Sequence, residues 1–169
     1  MVACSALNKG IEYVCIINPD VPSLLYGDPG RLRQILINLI DNAVKFTHKG
    51  EIIVRVMLED EDDDRVKIRF EVIDTGIGIP NGQMKRIFES FSQADGATTR
   101  KYGGTGLGLS ISKHLSDRMG GQIGVESKQE EGSVFWFTAV FEKQPEGKHK
   151  EIIIPVEISG KRILIVDDN

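Results

Sequence analysis

Two asparagines and a lysine, Asn38, Asn42 and Lys45, follow one another at i, i+4 and i+7 within residues 31–47, RLRQILINLIDNAVKFT. At about 100° per residue on a helix they share a narrow polar arc with Arg31, Gln34 and Asp41, while Leu32, Ile35, Leu36, Leu39, Ile40, Ala43 and Val44 form a broad apolar one. A solvated helix face is usually Glu and Lys at i,i+4 spacing, and asparagine is a poor helix former. Two amides one turn apart beside a lysine therefore suggest a bound ligand. An amide oxygen suits a hard cation, and Mg²⁺ takes only one or two protein oxygens while keeping waters and substrate phosphates. The lysine would stand near those phosphates. A polar face that only meets water is the competing reading.

Two glycine-bearing stretches offer matching chemistry. In DTGIGIP, residues 74–80, Gly76 and Gly78 at the exit of a strand let the backbone turn closely over a ligand. Asp74 is an acceptor suited to an exocyclic amine. Residues 89–106, ESFSQADGATTRKYGGTG, form a long polar loop of the kind that is disordered or lies over a site, and its Arg100 and Lys101 are cations within reach of phosphates. GGTGLGLS, residues 103–110, then opens a helix whose first N–H groups and dipole favour phosphate. It is neither the GxxxxGK[ST] loop nor a GxGxxG turn placed directly after a strand: its glycines, Gly104, Gly106 and Gly108, follow a loop.

The elements that must position these residues can be read coarsely. Asp28 and Pro29 supply a cap and a first-turn proline for the key helix, which is expected to end near Lys49-Gly50 on a left-handed glycine. Residues 12–18 read as a strand, and residues 51–58 and 66–73 as an antiparallel pair. Between that pair EDEDDD, residues 59–64, reads as a solvated hairpin loop without calcium-loop spacing. A short helix over 83–88, a helix over 107–119 packing through Leu107, Leu109, Ile111, Leu115 and Met119, and a hairpin of 122–127 with 132–142 complete the pattern. Trp136 is expected to pack on or within that sheet. KQPEGKHK, residues 143–150, has linker composition, and none of His48, His114 and His149 sits in a catalytic setting.

Composition bounds the function. The 169 residues suit one domain plus a tail, and 40% hydrophobic with 27% charged residues is globular. No apolar run approaches the roughly 20 residues that span a bilayer, so no direct membrane contact is expected. The opening MVACSALNKG lacks the regions of a signal peptide. A cytoplasmic domain is the expectation, with a larger parent free to carry membrane spans. Twenty-one basic against 25 acidic residues leave a net charge of −4, with no basic excess for nucleic acid. Cys4 and Cys15 are too few for a disulfide framework or zinc site.

Four blocks thus stand in order: NLIDNAVKFT, DTGIGIP, FESF and GGTGLGLS. They resemble the N, G1, F and G2 boxes of the histidine-kinase catalytic, ATP-binding domain, in the superfamily that also holds gyrase, MutL and the ninety-kilodalton heat-shock chaperone. GDPGRLRQIL, residues 27–36, is similar to hybrid sensor kinases in particular. The resemblance implies an α/β (α+β) two-layer sandwich: a mixed, mostly antiparallel sheet covered on one face by helices, the Bergerat ATP-binding fold. It implies ATP and Mg²⁺ as ligands. Asn42 would ligate the metal, Asn38 would support the phosphate site, Lys45 would contact phosphate and Phe46 would pack near adenine. Asp74 would accept from the adenine amino group, with Gly76, Gly78 and Ile79 shaping that pocket. Thr105, Gly106, Leu107 and Gly108 would bind phosphates, Arg100 and Lys101 would approach the γ-phosphate, and Phe88 and Phe91 would anchor the lid.

Departures from the family pattern carry as much information. Hydrolysing relatives place a glutamate four residues before the magnesium asparagine; here that position is Asn38, and an amide is no general base. Transfer to a protein histidine is favoured over hydrolysis, with positioning and charge neutralisation as the source of catalysis. The phosphoacceptor pattern and its dimerisation helices are missing, so self-phosphorylation is not expected of this chain. KRILIVDDN, residues 161–169, resembles the first strand of a receiver domain, with Asp167 and Asp168 as the start of its acidic site. The expected organisation is a catalytic domain over 1–143, a linker over 144–160 and the start of a receiver over 161–169. The expected partners are a histidine-bearing dimerisation domain of the same parent and a receiver domain or response regulator. The alternatives are a regulatory nucleotide-binding module without catalysis and an independent ATPase.

Overall fold

The computed structural model describes residues 2–80, 82–84, 86–89 and 106–145. Its elements are α1 (Val2–Asn8), β1 (Glu12–Ile17), β2 (Leu25–Tyr26), α2 (Pro29–Phe46), β3 (Glu51–Glu61), β4 (Arg65–Asp74), α3 (Gly108–Arg118), β5 (Ile123–Lys128) and β6 (Gly132–Lys143). The strands form one sheet in the order β1-β3-β4-β6-β2, with β5 also pairing β6. Among the described residues only β1 and β3 pair in parallel; every other pairing is antiparallel. The expected mixed, mostly antiparallel α/β sandwich is therefore the fold.

Helix α2 starts where its sequence directs. The Asp28 carboxylate accepts from the N–H groups of Gly30 and Arg31 at 3.0 and 3.1 Å, and Pro29 occupies the first turn. Such a cap stabilises a helix by about 1 kcal/mol. Ile35, Leu39, Ile40, Ala43 and Val44 are buried on one face. They cover Ile52 and Val54 of β3, Val66, Ile68, Phe70 and Val72 of β4, and Phe135, Phe137, Ala139 and Phe141 of β6, the core of the molecule. Phe70 and Phe137 stack at its centre with ring centroids 4.7 Å apart.

The helix ends earlier than expected, at Phe46, with Thr47 extended (φ −96°) and wholly buried. The Phe46 carbonyl accepts from the N–H of Ile77 at 3.3 Å in place of a further helical turn. Gly50 is thus no helix cap. At φ +110° it lies where a Cβ would overlap Thr75 Oγ1, which accepts from the N–H of Glu51 at 3.0 Å.

Three further expectations are corrected. The acidic run is half strand: β3 extends to Glu61 because Glu59 pairs with Lys67 at 2.9 Å and Glu61 with Lys143 at 3.1 Å. Only residues 62–64 turn, closed by Asp62 Oδ1 accepting from the N–H groups of Asp64 and Arg65, bonds that hold its carboxyl below the usual range. The described residues 82–84 and 86–88 are turns rather than helix, with i→i+3 bonds from the N–H of Gln83 to the Pro80 carbonyl, Arg86 to Gln83 and Glu89 to Arg86, while residue 85 lies outside the described residues. On helix α3 Leu109, Leu115 and Met119 pack against the core as expected, but Ile111 is exposed, and the residues the helix buries most fully are Ser110, Ser112 and Ser116. Small hydroxyls let α3 approach closely enough for Ser116 Oγ to donate to the Thr138 carbonyl at 3.1 Å. Trp136 lies half-buried over Gly124 on the sheet, with the Arg69 guanidinium 4.2 Å from its ring centroid.

Candidate functional site

The site is assembled from the C-terminal half of α2, the segment after β4, the N-terminus of α3 and the β5–β6 hairpin. β4 lies between β3 and β6, and its last residue, Asp74, faces the same side as Val72 and Phe70. Its register partners are Ile52 on β3 and Ser133 on β6. Asp74 is 6% exposed. Burial pushes its carboxyl above the ordinary value of 3.8, an effect partly offset by N–H groups of Gly76, at 2.9 Å, and Ser133 donating to it. A buried carboxylate held by backbone donors retains acceptor capacity for a ligand amine.

The loop after Asp74 is fastened at three points. A Cβ on Gly76 would stand 2.6 Å from the Phe46 carbonyl oxygen, so glycine lets the loop close against the end of α2. Gly78 has φ +65° and lies against the Lys128 carbonyl, and the Ile77 carbonyl accepts from the N–H of Glu130 at 2.8 Å. The Ile79 N–H donates to Ser127 Oγ at 2.8 Å, and the Ile79 side chain packs against the core. The loop therefore has one backbone shape, set by α2 on one side and the β5–β6 turn on the other.

Asn38, Asn42, Lys45 and Phe46 are all half-buried. The Lys45 ammonium lies 4.9 Å from the Phe46 ring centroid. Asn38 Nδ2 donates to Ser112 Oγ at 2.9 Å, and a Cβ on Gly108 would overlap Asn38 Oδ1. This contact brings the start of α3 onto the polar face of α2. Gly106 has φ +69°, and α3 begins at Gly108 after Leu107 with no side chain among the described residues capping its first N–H groups. Those donors and the positive end of the helix dipole suit an anion. Phe88 packs on the core.

Asn38, Asn42, Lys45, Phe46, Asp74, Gly76, Gly78, Ile79, Gly106, Leu107 and Gly108 thus lie on the elements that form this site. Arg100, Lys101, Thr105 and Phe91 lie outside the described residues, as do Asp167, Asp168 and the stretch after residue 145. Two residues escaped the sequence reading, Ser127 and Ser133, whose hydroxyls are 3.0 Å apart. A signal for Ser133 existed: it heads the alternation Ser133, Phe135, Phe137, Ala139, Phe141, a polar group on the core side of a strand. Among the described residues no three His, Cys, Asp or Glu side chains are grouped to hold a metal. A lone amide oxygen such as that of Asn42 fits Mg²⁺ carried in with phosphate oxygens.

A family model described as histidine kinase-, DNA gyrase B-, and HSP90-like ATPase matches residues 27–143. The sensor protein GacS of Pseudomonas syringae pv. syringae is 46% identical over 167 residues, 99% of this chain and 18% of GacS. Hybrid signal transduction histidine kinase B of Dictyostelium discoideum is 46% identical over 138 residues, 82% of this chain and 7% of that protein. The chain thus spans less than a fifth of these curated relatives. Among solved structures, full-length ShkA in complex with AMPPNP aligns with a TM-score of 0.71 and 40% identity, covering 85% of this chain and 28% of ShkA.

Proposed function

The chain belongs to the histidine kinase-, DNA gyrase B- and HSP90-like ATPase family, and from that membership we propose that it is the ATP-binding catalytic domain of a hybrid sensor histidine kinase, delivering the γ-phosphate to a histidine on a dimerisation domain of the same parent. The observation that carries this reading is the pairing of a buried acceptor, Asp74, with a helix start at Gly108 that no side chain among the described residues caps and that is docked on the Asn38 amide. The first reads a base and the second receives phosphates.

In this reading Asp74 accepts from the adenine amine, the Gly76–Gly78 backbone and Ile79 form the floor of the base pocket, and Phe46 packs near adenine. Lys45 and the amides at Gly106, Leu107 and Gly108 bind phosphates. Arg100, Lys101 and Thr105 act on the γ-phosphate side. Asn42 holds Mg²⁺, which when bound neutralises phosphate charge. Asn38 supports the phosphate site through an amide that cannot take a proton from water, so the domain transfers rather than hydrolyses. Residues 144–160 link this catalytic domain to a receiver beginning at 161–169, and a receiver domain or response regulator takes the phosphoryl group onward. ATP places the domain in the cytoplasm. No helix among the described residues is long and apolar enough to cross a membrane.

The test is a calorimetric titration with ATP, with and without Mg²⁺. Saturable binding is expected, weakened about ten- to hundredfold by Asp74→Asn, as for loss of a charged hydrogen bond. Asn42→Ala is expected to weaken Mg²⁺-ATP more than Mg²⁺-free ATP. The chain should then label a separately purified histidine-bearing dimerisation domain from γ-labelled ATP. Absence of nucleotide binding, or steady phosphate release without labelling, overturns the reading.

A further inference from the structure

Ser127 sits at the centre of a hydrogen-bond group that the phosphate chemistry does not use. Its Oγ accepts from the N–H of Ile79 at 2.8 Å, donates to the Gly132 carbonyl at 2.8 Å and lies 3.0 Å from Ser133 Oγ. Ser127 and Ser133 are register partners, and Ser133 is in turn the register partner of Asp74. The three side chains form one polar row on the helix-covered face of the sheet.

The protons in this row can be assigned by counting. A serine hydroxyl has one proton and two acceptor lone pairs. A carbonyl only accepts, so the Ser127 proton is committed to Gly132. One Ser127 lone pair takes the Ile79 N–H, and the other is left for Ser133, which must be the donor in the hydroxyl pair. The Ser133 proton is therefore turned away from Asp74, and Ser133 can offer its neighbours only lone pairs. Ionised Asp74 likewise offers only acceptors.

We propose that Ser127 is a positioning residue for base selection: by holding the Ser133 proton it keeps the Asp74–Ser133 row acceptor-only, which fits a purine bearing a 6-amino donor and rejects one bearing a 6-oxo acceptor. The inference rests on the reading of Asp74 as the base acceptor. A buried hydrogen-bonding site discriminates strongly when the wrong partner leaves its groups facing like groups. Loss of Ser127 frees the Ser133 proton to donate to a 6-oxo group.

The experiment measures ATP and ITP affinities by calorimetry for the wild-type chain, Ser127→Ala, Ser127→Thr and Ser133→Ala, each checked for folding by circular dichroism. Ser127→Ala is expected to lower the ATP-to-ITP affinity ratio about three- to tenfold, the value of one hydrogen bond. Ser127→Thr, which keeps the hydroxyl, should retain the wild-type ratio. Ser133→Ala should also lower the ratio, because it removes lone pairs that repel the 6-oxo group, and this holds even if Ser127→Ala does not fold. Equal loss of both nucleotides in Ser127→Ala would make Ser127 merely structural and overturn the proposal. A raised ratio in Ser133→Ala would show Ser133 to be a donor and also overturn it. Failure of the wild-type chain to bind either nucleotide would instead strike at the ATP site itself.

Discussion

The side-chain amide of Asn38 donates to Ser112 Oγ at 2.9 Å across 74 residues, and its oxygen rests on the bare Cα of Gly108. One residue of α2 thereby fixes where α3 begins. Gly108→Ala should place a methyl group against Asn38 Oδ1 and destabilise the fold by about 1–3 kcal/mol, an overpacking cost. Asn38→Ala in the same chain should recover part of that loss, and urea denaturation of the two single variants and the double variant measures the coupling. Strict additivity would mean that the contact carries no weight.

Gly78 has the positive φ and the close neighbour that make glycine necessary. Its φ of +65° disfavours a side chain, and a Cβ there would overlap the carbonyl of Lys128, which is backbone and has little room to give. Gly78→Ala is expected to cost more than about 2 kcal/mol, strain and overlap together, and to weaken ATP binding by displacing the Asp74 loop. Denaturation and ATP titration of the same variant check both. Gly82, where an added Cβ would meet nothing within 4 Å, is the control: Gly82→Ala should be near neutral.

Much of this was legible because it is local. The Asp28-Pro29 start and the apolar arc of α2 needed only neighbouring residues, and so did the β-branched runs of β3 and β4. What escaped depended on distant partners. The end of α2 at Phe46 is decided by Ile77, and the length of β3 by Lys67 and Lys143. The buried serine face of α3 exists because Asn38 and Thr138 meet it. Within the site, Asp74 was legible from its glycine neighbours, whereas Ser127 and Ser133 became visible only once the β5–β6 register set them side by side.

Asp74 also gives the site a pH signature. Burial raises its carboxyl in the folded chain above 3.8, its value in the unfolded one. A group whose proton is held more tightly in the folded state favours folding at low pH, and that contribution is lost as pH rises through the window from the unfolded to the raised folded value. Above the window the folded protein carries a desolvated carboxylate. The stability of Asp74→Asn relative to wild type should therefore improve between about pH 4 and pH 7. Denaturation midpoints at the two pH values test this, and a constant difference would show that the carboxyl is not perturbed.

The place of β4 inside the sheet has a kinetic consequence. Its amides and carbonyls are engaged on both sides, by β3 and by β6, whereas among the described strands β1 and β2 each have a neighbour on one side only. Amide hydrogen exchange follows local opening, and doubly paired interior strands open near the full unfolding free energy while edges open sooner. The amides around Ile73 and Asp74 should then be among the last to exchange. The Asp74 carboxylate, proposed above to read the base, is mounted on a strand that stays closed through the smaller openings of the domain, so a nucleotide held there would come and go without that end of the site ever having to re-form.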